Sequence, residues 1–180
     1  KSYKATDQCF SIIEAKNFTF KPINIKKGVF KIGSKNYKEF SYDNEKPLNH
    51  IKLDDFQIDK KLIQINEWVG FINAGGYNNK KFWSDSGWKW RNKNKILLPL
   101  GWLFYKNNVS ISTPHGYKKP KKKDPVSNIS YYELEAFAKW VNLKLPHEIQ
   151  WEAAYSKIIN KFKVWQWSRN KFFPYEGFIA

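Results

Sequence analysis

Two tryptophans separated by a single residue, Trp165 and Trp167, restrict the fold of this chain more than any other feature. Residues two apart on an extended strand point to the same side, so one face must accept both indole rings. A turn that combines aromatic residues with proline and glycine follows at Phe173–Phe178. The segment requires either a deep core or a groove lined by the rings, and the pattern predicts that Trp165 and Trp167 are mainly buried.

Motifs upstream of this segment share its mixture of aromatic, glycine and acidic residues. They are Gly28–Ser34, Phe40–Pro47, Phe71–Tyr77, Trp83–Trp90, Pro125–Glu133 and Leu145–Glu152. In this order, and together with the Trp165 segment, they resemble the C-terminal domain of the sulfoxide synthases of ergothioneine biosynthesis over residues 25–178. The elements D-N-E, G-G-Y, G-W-x-W and P-Y-x-G-F are the narrower ones, and they favour that family.

Other parts of the pattern, G-S, L-P-x-E and W-x-W, are shared by the whole superfamily of formylglycine-generating enzymes, the sulfatase-modifying factors. The resemblance implies the α+β domain of this superfamily, a variant of the C-type lectin fold. It also implies a lead-in linker over residues 1–24 and one domain over residues 25–180. Because the family continues beyond P-Y-x-G-F and the chain has no methionine, we expect an incomplete domain from a longer protein, truncated at both ends.

Hydrophobic periodicity indicates three helices. Apolar residues at i, i+3, i+4 and i+7 predict a helix over Ile65–Ile72, which the following Gly-Gly pair ends. A capping box, in which Ser130 and Glu133 each satisfy a free backbone N–H, predicts the start of a second helix. The third helix is expected after Pro146, with His147 at its cap.

Strand signals are shorter and lie mainly in the first third of the chain. Apolar and polar residues alternate over Ile23–Ile32, and this pattern predicts a hairpin that turns at Lys26–Gly28. A second strand region is expected over His50–Ile58. From Trp83 to Thr113, and again after Val164, no period is visible, so long structured loops are expected there.

The net charge of +16 raises the question of a nucleic-acid partner. Lysine far outnumbers arginine, the residue that bidentate phosphate and guanine contacts favour. We therefore interpret the charge as a compositional bias toward Lys, Asn, Ile and Phe, and expect no specific nucleic-acid partner. The densest patch, Lys118–Lys123, contains a proline and is interpreted as a solvated loop; a localisation signal is the alternative.

Neither a membrane span nor export is indicated by the sequence. No run of 18 apolar residues exists, and the N-terminus does not resemble a signal peptide. The single cysteine, Cys9, excludes a disulfide framework within the chain and is interpreted as inert. We predict a cytoplasmic location and no membrane partner.

The family that the motifs resemble uses non-haem Fe²⁺, which is bound by histidines of an upstream helical domain. This chain has His50, His115 and His147, and their spacing matches no iron motif. We therefore expect no metal and no cofactor in this chain, with Fe²⁺ bound elsewhere in the parent protein. The chain alone is expected to be catalytically inactive.

The strongest site candidates lie in the Trp165 segment, because the resemblance places that segment beside the substrate groove. We expect Trp165, Gln166, Trp167, Arg169 and Tyr175 to bind substrate. Core packing of the two tryptophans is the alternative. Relatives carry Glu where this chain has Gln166, and this difference argues against a Ca²⁺ site.

Two further groups are candidate substrate contacts. Asp43, Asn44 and Glu45 offer carboxylates and an amide for a cation or a polar ligand, although Asp-Asn pairs also form ordinary turns. Three aromatic rings could enclose a quaternary ammonium group through cation–π attraction, or could instead pack in the core. These rings belong to Trp83, Trp88 and Trp90.

The resemblance implies a substrate-binding domain of a sulfoxide synthase, which joins a thiol to trimethylhistidine with oxygen and forms a C–S bond and a sulfoxide. Its expected partners are these two small molecules. A free-standing lectin-like ligand-binding module is one alternative. A formylglycine-generating-type oxidase is another, although such oxidases use a cysteine pair and this chain has one cysteine.

Overall fold

The computed structural model describes residues 18, 20–35, 40–106, 108–159 and 164–179, and these residues form two compact units. Unit 1 consists of Phe18 and the described part of 63–144, and unit 2 of the described parts of 20–62 and 145–180. Cys9 and most of the proposed lead-in linker lie outside the described residues. The boundary at residue 24 stays a prediction.

Unit 2 contains a two-stranded antiparallel ribbon that is interrupted once. Its strands are β1 (Pro22–Ile25), β2 (Gly28–Ile32), β3 (Asn49–Leu53) and β4 (Phe56–Asp59). β1 pairs with β4, and β2 pairs with β3 in the same register, so β1 and β2 follow one another along one side of the ribbon.

The hairpin predicted over Ile23–Ile32 is therefore wrong, because β1 and β2 do not pair with each other. At the interruption the backbone N–H of Lys27 donates to Asp55 Oδ1 at 2.5 Å. A carboxylate from the opposite side thus satisfies the backbone where the ladder is broken, and the chain continues straight instead of turning. The strand region predicted over His50–Ile58 is confirmed as β3 and β4.

The helix of unit 2 is α4 (Glu148–Ala154), followed by one 3-10 turn over Tyr155–Lys157. It begins where it was predicted: His147 Nδ1 accepts from the N–H of Ile149 at 3.4 Å, and Gln150 Oε1 accepts from the N–H of His147 at 3.0 Å. Ala154 and Ile158 are buried with Ile25 of β1 and form the core of this unit.

Unit 1 is built around α1 (Ile65–Asn73) and α3 (Tyr131–Trp140), both predicted from the sequence. Stacked rings of Trp68 and Phe137, 4.9 Å apart, join the two helices, and Phe71 packs edge-on against Phe137 at 5.7 Å. All three side chains are fully buried. Ser130 and Glu133 form the expected capping box at the start of α3.

The loop predicted over Trp83–Thr113 is wrong, because it contains α2 (Asp85–Lys93), β5 (Trp102–Tyr105) and β6 (Asn108–Thr113). β6 also pairs with β7 (Gly116–Lys118), which gives a three-stranded antiparallel sheet. α2 has almost no apolar stripe and depends on its cap, in which Ser84 Oγ accepts from the N–H of Gly87 at 3.2 Å.

The mixture of helices and antiparallel strands among the described residues confirms the α+β prediction. The single domain over residues 25–180 and the lectin-like label stay predictions. None of the helices within the described ranges is long and apolar enough to cross a bilayer.

Candidate functional site

One carboxylate on α4 joins two motifs that are far apart in sequence. Glu152 Oε1 accepts from the backbone N–H of Gly33 at 2.6 Å, and Glu152 Oε2 accepts from the hydroxyl of Tyr175, also at 2.6 Å. Both contacts lie within unit 2 and are partly buried. We call Gly33, Glu45, Pro47, Glu152 and Tyr175 the Glu152 junction.

Glycine is required at the centre of this junction. Gly33 has a φ of +85°, and a Cβ atom there would lie 2.7 Å from the carbonyl oxygen of Pro47 and 2.9 Å from that of Glu45. The next backbone N–H, of Ser34, donates to the Glu45 carbonyl at 2.7 Å. The G-S and D-N-E-x-P motifs are therefore packed backbone to backbone, which no larger residue would allow.

The Tyr175 phenol is a hydrogen-bond donor fixed in its neutral form. Burial raises the pKa of Tyr175 above its ordinary value, and the hydrogen bond to Glu152 raises it further. A phenol that stays protonated donates to the carboxylate throughout the physiological range, and it is unsuited to act as a base. Tyr175 therefore holds the P-Y-x-G-F turn on α4.

Asp43, Asn44 and Glu45 form a short 3-10 helix. Asp43 Oδ1 accepts from the N–H of Asn44 at 2.8 Å, and Glu45 Oε2 accepts from the N–H of Tyr42 at 2.9 Å. Both carboxylates thus satisfy the local backbone, which supports the interpretation as a turn. A ligand-binding role for the three residues stays a prediction.

The segment 164–179 is attached to α4 at several points. Gln166 Oε1 accepts from Trp151 Nε1 at 2.9 Å, and the N–H of Arg169 donates to the Pro146 carbonyl at 2.8 Å. The N–H of Glu148, in the first turn of α4, donates to Asn170 Oδ1 at 2.9 Å. Side-chain and backbone contacts therefore fix this segment without any strand pairing in its described residues.

The prediction that Trp165 and Trp167 are mainly buried is wrong. Trp165 is 96% exposed and Trp167 is 52% exposed, and the segment is not a strand. The physical reason is Gln166, whose amide faces inward to meet Trp151, so the flanking tryptophans face outward. The side chain of Arg169 is exposed as well. The segment thus presents two indoles and a guanidinium to solvent.

The three tryptophans proposed as a cage lie in unit 1, where the rings of Trp83 and Trp88 pack against each other with centroids 6.3 Å apart. Trp83 is buried and its Nε1 donates to the Gly76 carbonyl at 2.8 Å. Trp90 packs against Tyr132 with ring centroids 5.4 Å apart. Trp88 has the Arg91 guanidinium 5.1 Å from its ring, so the cation that this ring attracts comes from the chain itself. These contacts favour core packing, and a cage role stays a prediction.

Sequence reasoning missed a buried hydrogen-bond network in unit 1. Tyr77 donates to Glu133 Oε1 at 2.7 Å, and Trp68 Nε1 donates to the Tyr77 hydroxyl at 3.3 Å. Glu133 is only 2% exposed, and burial raises its pKa above the ordinary value although hydrogen bonds from Tyr77 and Ser130 oppose the rise. Burial also raises the pKa of Tyr77, and the charge of Glu133 adds to that rise. The tyrosine of the G-G-Y motif, Tyr77, was the one available signal in the sequence. A buried tyrosine hydroxyl needs a hydrogen-bond partner, so its presence beside an apolar helix could have indicated a buried acceptor.

The described residues do not fit an iron site. His147 uses Nδ1 to cap α4, while His50 on β3 and His115 between β6 and β7 are exposed. No group of three or more His, Cys, Asp or Glu side chains that could hold a metal ion occurs among the residues that the structure describes.

Residues 13–175 match the model of the sulfatase-modifying factor enzyme 1-like domain, and the chain belongs to this family. It is 34% identical over 116 residues to the hercynine oxygenase of Mycolicibacterium thermoresistibile, covering 64% of this chain and 25% of that protein. The hercynine oxygenase of Mycobacterium tuberculosis is also 34% identical, over 115 residues that cover 63% of this chain and 26% of the relative. The formylglycine-generating enzyme of Thermomonospora curvata is 23% identical over 140 residues, 71% of this chain and 46% of that enzyme.

The chain thus spans about a quarter of the length of the hercynine oxygenases that it matches. The resemblance noted from the motifs is confirmed at the level of the domain family.

Proposed function

We propose that this chain forms the substrate-binding domain of a larger oxygenase of the ergothioneine type. The complete protein would join a thiol to trimethylhistidine and form a C–S bond and a sulfoxide. The iron that activates oxygen in such a reaction would be bound by a domain outside this chain, because the described histidines and carboxylates do not fit a metal site. Similarity to two hercynine oxygenases supports the proposal.

The observation that carries the proposal is the way in which the segment 164–179 is fixed. Its inward contacts, Gln166 with Trp151 and Tyr175 with Glu152, hold the backbone to α4. Of its other side chains, Trp165 and Arg169 are exposed and Trp167 is half exposed. A rigidly mounted segment with exposed indoles is typical of a surface that contacts a ligand.

The side chains in this segment suit a zwitterionic substrate with a quaternary ammonium group. An indole face attracts a trimethylammonium group, and the attraction reaches about 2 kcal/mol when the pair is desolvated. A guanidinium binds a carboxylate through paired hydrogen bonds. In this proposal Trp165 and Trp167 contact the ammonium end and Arg169 contacts the carboxylate.

The test uses the complete protein that contains this chain. It would be incubated with Fe²⁺, oxygen, trimethylhistidine and a set of cysteine-containing thiols, and sulfoxide product would be followed by mass spectrometry. We expect Trp165→Ala and Arg169→Ala each to raise the KM for trimethylhistidine by about tenfold, which corresponds to an interaction worth about 1.4 kcal/mol.

Phe40→Ala is the matched control, because Phe40 is an exposed aromatic residue of the same unit. Its KM should equal that of the wild type. No oxygen-dependent product with any thiol would contradict the proposed reaction, and equal KM values for all variants would contradict the assignment of the site.

The exposed aromatic segment also fits the alternative of a lectin-like ligand-binding module. A complete protein that binds a ligand through Trp165 and Arg169, but consumes no oxygen, would support the module instead.

A further inference from the structure

The positive charge of this chain is concentrated in one part of unit 1. Between Asp85 and Asp124 the sequence contains ten basic residues and no acidic one. The whole chain has 32 basic and 16 acidic residues, so these 38 positions hold +10 of the net +16. A compositional bias acting evenly along the chain does not produce such a segment. The segment includes the sheet β5–β6–β7 and the lysines that follow it.

The outer face of this sheet is open and carries aromatic rings. Trp102 and Val109 point to the core and are buried. Phe104 pairs with Val109 on that inner side, so the next residue of β5, Tyr105, points the other way and is 66% exposed. On β7, Tyr117 is 59% exposed and pairs with Ser112 of β6, while Tyr105 pairs with Asn108.

Tyr105 and Tyr117 lie on the same face, because cross-strand partners share a face and Asn108 and Ser112 are four residues apart on β6. Strand spacing and rise place the two rings about 16 Å apart along the diagonal. The residues between them on this face are small or uncharged, and Leu103 adds a further exposed apolar group. The face is thus flat, uncharged and flanked by two tyrosines.

Lysines border this face. Lys106, next to Tyr105, has its Nζ over one face of that ring, 5.2 Å from its centre, so a base would stack on the other face. Lys118, the last residue of β7, pairs with Ile111 and therefore points away from the tyrosines. The loop that follows adds four exposed lysines, Lys119, Lys121, Lys122 and Lys123, and so brings the number of exposed lysines after Tyr117 to five.

The backbone of this loop is fixed. The first two N–H groups of α1, from Ile65 and Asn66, donate to the carbonyls of Asp124 and Lys122 at 3.0 Å each. Asp124 Oδ2 accepts from the N–H of Lys121 at 2.8 Å, so the carboxylate closes the turn. The five ammonium groups therefore project from a defined position, and little backbone entropy is lost when they meet a polyanion.

We propose that the outer face of β5–β6–β7 and the loop 118–123 form a binding surface for single-stranded nucleic acid. The lysines contact phosphates, and Tyr105 and Tyr117 stack on bases. Such contacts do not read base edges, so the surface binds without sequence preference. This inference goes beyond the proposed oxygenase domain and does not depend on it.

The exposed rings of Tyr105 and Tyr117 favour single-stranded nucleic acid over other polyanions. A duplex hides its base faces, and an anionic lipid surface or an acidic protein has no row of flat rings to stack on two tyrosines. Every unpaired base offers such a face. The basic residues after Tyr117 are all lysines, and a lysine ammonium group binds phosphate as a point charge.

The test measures binding of fluorescein-labelled oligouridylate of 20 nucleotides to the 180-residue chain by fluorescence anisotropy, from 50 to 300 mM KCl. The loop variant changes Lys118, Lys119, Lys121, Lys122 and Lys123 to Gln. We expect it to lower the slope of log Kd against log salt by about 0.7 for each phosphate that the variant no longer neutralises. Tyr105→Ala and Tyr117→Ala should each weaken binding about fivefold or more and leave the slope unchanged.

The matched control removes five exposed lysines of unit 2, Lys21, Lys26, Lys31, Lys52 and Lys60, and so makes the same change in net charge. It should retain most of the binding. Equal reductions of affinity in the two five-lysine variants would overturn the proposal, because the interaction would then depend on net charge alone.

Two further results would also overturn it. The first is equal affinity for duplex RNA with no effect of either tyrosine variant. The second is binding to phosphatidylserine vesicles, but not to the oligonucleotide, that the loop variant abolishes. Circular dichroism of each variant separates loss of binding from loss of folding.

Discussion

Two glutamates show how the surroundings of a residue decide what its carboxylate does. Glu152 is partly buried and accepts from a backbone N–H and a phenol, so it joins two segments of unit 2. Glu133 is buried in unit 1, where it accepts from Tyr77 and from the Ser130 N–H, and burial raises its pKa. The sequence predicted Glu133 as a helix cap. Its depth could not be predicted, because burial depends on Tyr77 and Trp68 arriving from another helix and loop.

The raised pKa of Glu133 makes stability depend on pH in a definite direction. The folded protein retains the proton at pH values where the unfolded chain, with a pKa near 4.5, has lost it. This contribution to stability is fully present below the unfolded pKa and is lost as the pH rises through the folded pKa. As the pH rises from 4 to 7, the free energy of unfolding should therefore fall less for Glu133→Gln than for the wild type.

Thermal denaturation across this range measures the effect. The variant should melt below the wild type at low pH, because its amide NH2 only donates, whereas the hydroxyl oxygen of protonated Glu133 can still accept from the Ser130 N–H. The gap should narrow as the pH rises, because burial disfavours the ionised form of Glu133 and the uncharged amide avoids that cost. Glu176→Gln, in an exposed turn, is the control for removing one carboxylate. A gap that stays constant or widens with pH would contradict the prediction.

At the level of elements, local signals were sufficient for some segments and misleading for others. α1, α3 and α4 have an apolar stripe, a cap or both, and these were recognised from the sequence. α2 has a polar surface and was missed. β5 is a run of four apolar and aromatic residues without alternation, and β6 has Asn and Ser on its outer face, so neither was recognised as a strand. The strand pairing of unit 2 was wrong because the alternation of residues does not specify which strand is the partner.

The segment 164–179 is the clearest case, since the Trp-x-Trp pattern predicted a strand with both rings mainly buried, whereas the segment is not a strand and both side chains are more than half exposed. Trp165→Ala should change the melting temperature little, because its side chain is 96% exposed, and Trp167→Ala, at a side chain that is 52% exposed, should cost less than the loss of a core tryptophan. Trp68→Ala, in the core of unit 1, should cost about 3 to 5 kcal/mol. Gln166→Ala should cost roughly 1 to 3 kcal/mol, because it leaves Trp151 Nε1 without its acceptor. Thermal and urea denaturation of the four variants would rank them, and a tryptophan variant of the segment that is less stable than Gln166→Ala would contradict the structure.

At the scale of the whole molecule, the motifs identified the family and the position of most site candidates, but not their contacts. The Glu152 junction joins the G-S, D-N-E-x-P and P-Y-x-G-F motifs to the last residue of the Leu145–Glu152 motif, and these contacts link residues that are far apart in the sequence. Candidate residues also separate by unit: Trp83, Trp88 and Trp90 belong to unit 1, and the others belong to unit 2. Charge is likewise uneven, with most of the net excess between Asp85 and Asp124.

This charge should make folding sensitive to salt. Like charges repel in the compact state, so raising NaCl from 20 to 200 mM should raise the melting temperature of the wild type. The five-lysine variant of the loop 118–123 should melt at the same or a higher temperature than the wild type at 20 mM NaCl and should respond less to added salt. Differential scanning calorimetry measures both effects. A variant that melts lower at 20 mM NaCl would show that the lysines form stabilising pairs.

The discontinuous sequence of unit 2 has a consequence for synthesis on the ribosome. Unit 1 is almost entirely the continuous segment 63–144, whereas the two parts of unit 2 are separated by that segment. Translation at about 5 to 20 residues per second makes the N-terminal part of unit 2 wait for roughly 4 to 16 seconds before α4 is made. The Gly33 N–H meets its carboxylate 119 residues later, and Tyr175 closes the junction after another 23. During that interval the ribbon of β1 to β4 lacks the helix that covers its apolar side, and its strand edges can pair with those of another chain. The lysines exposed along the ribbon oppose such pairing, because like charges on two chains repel.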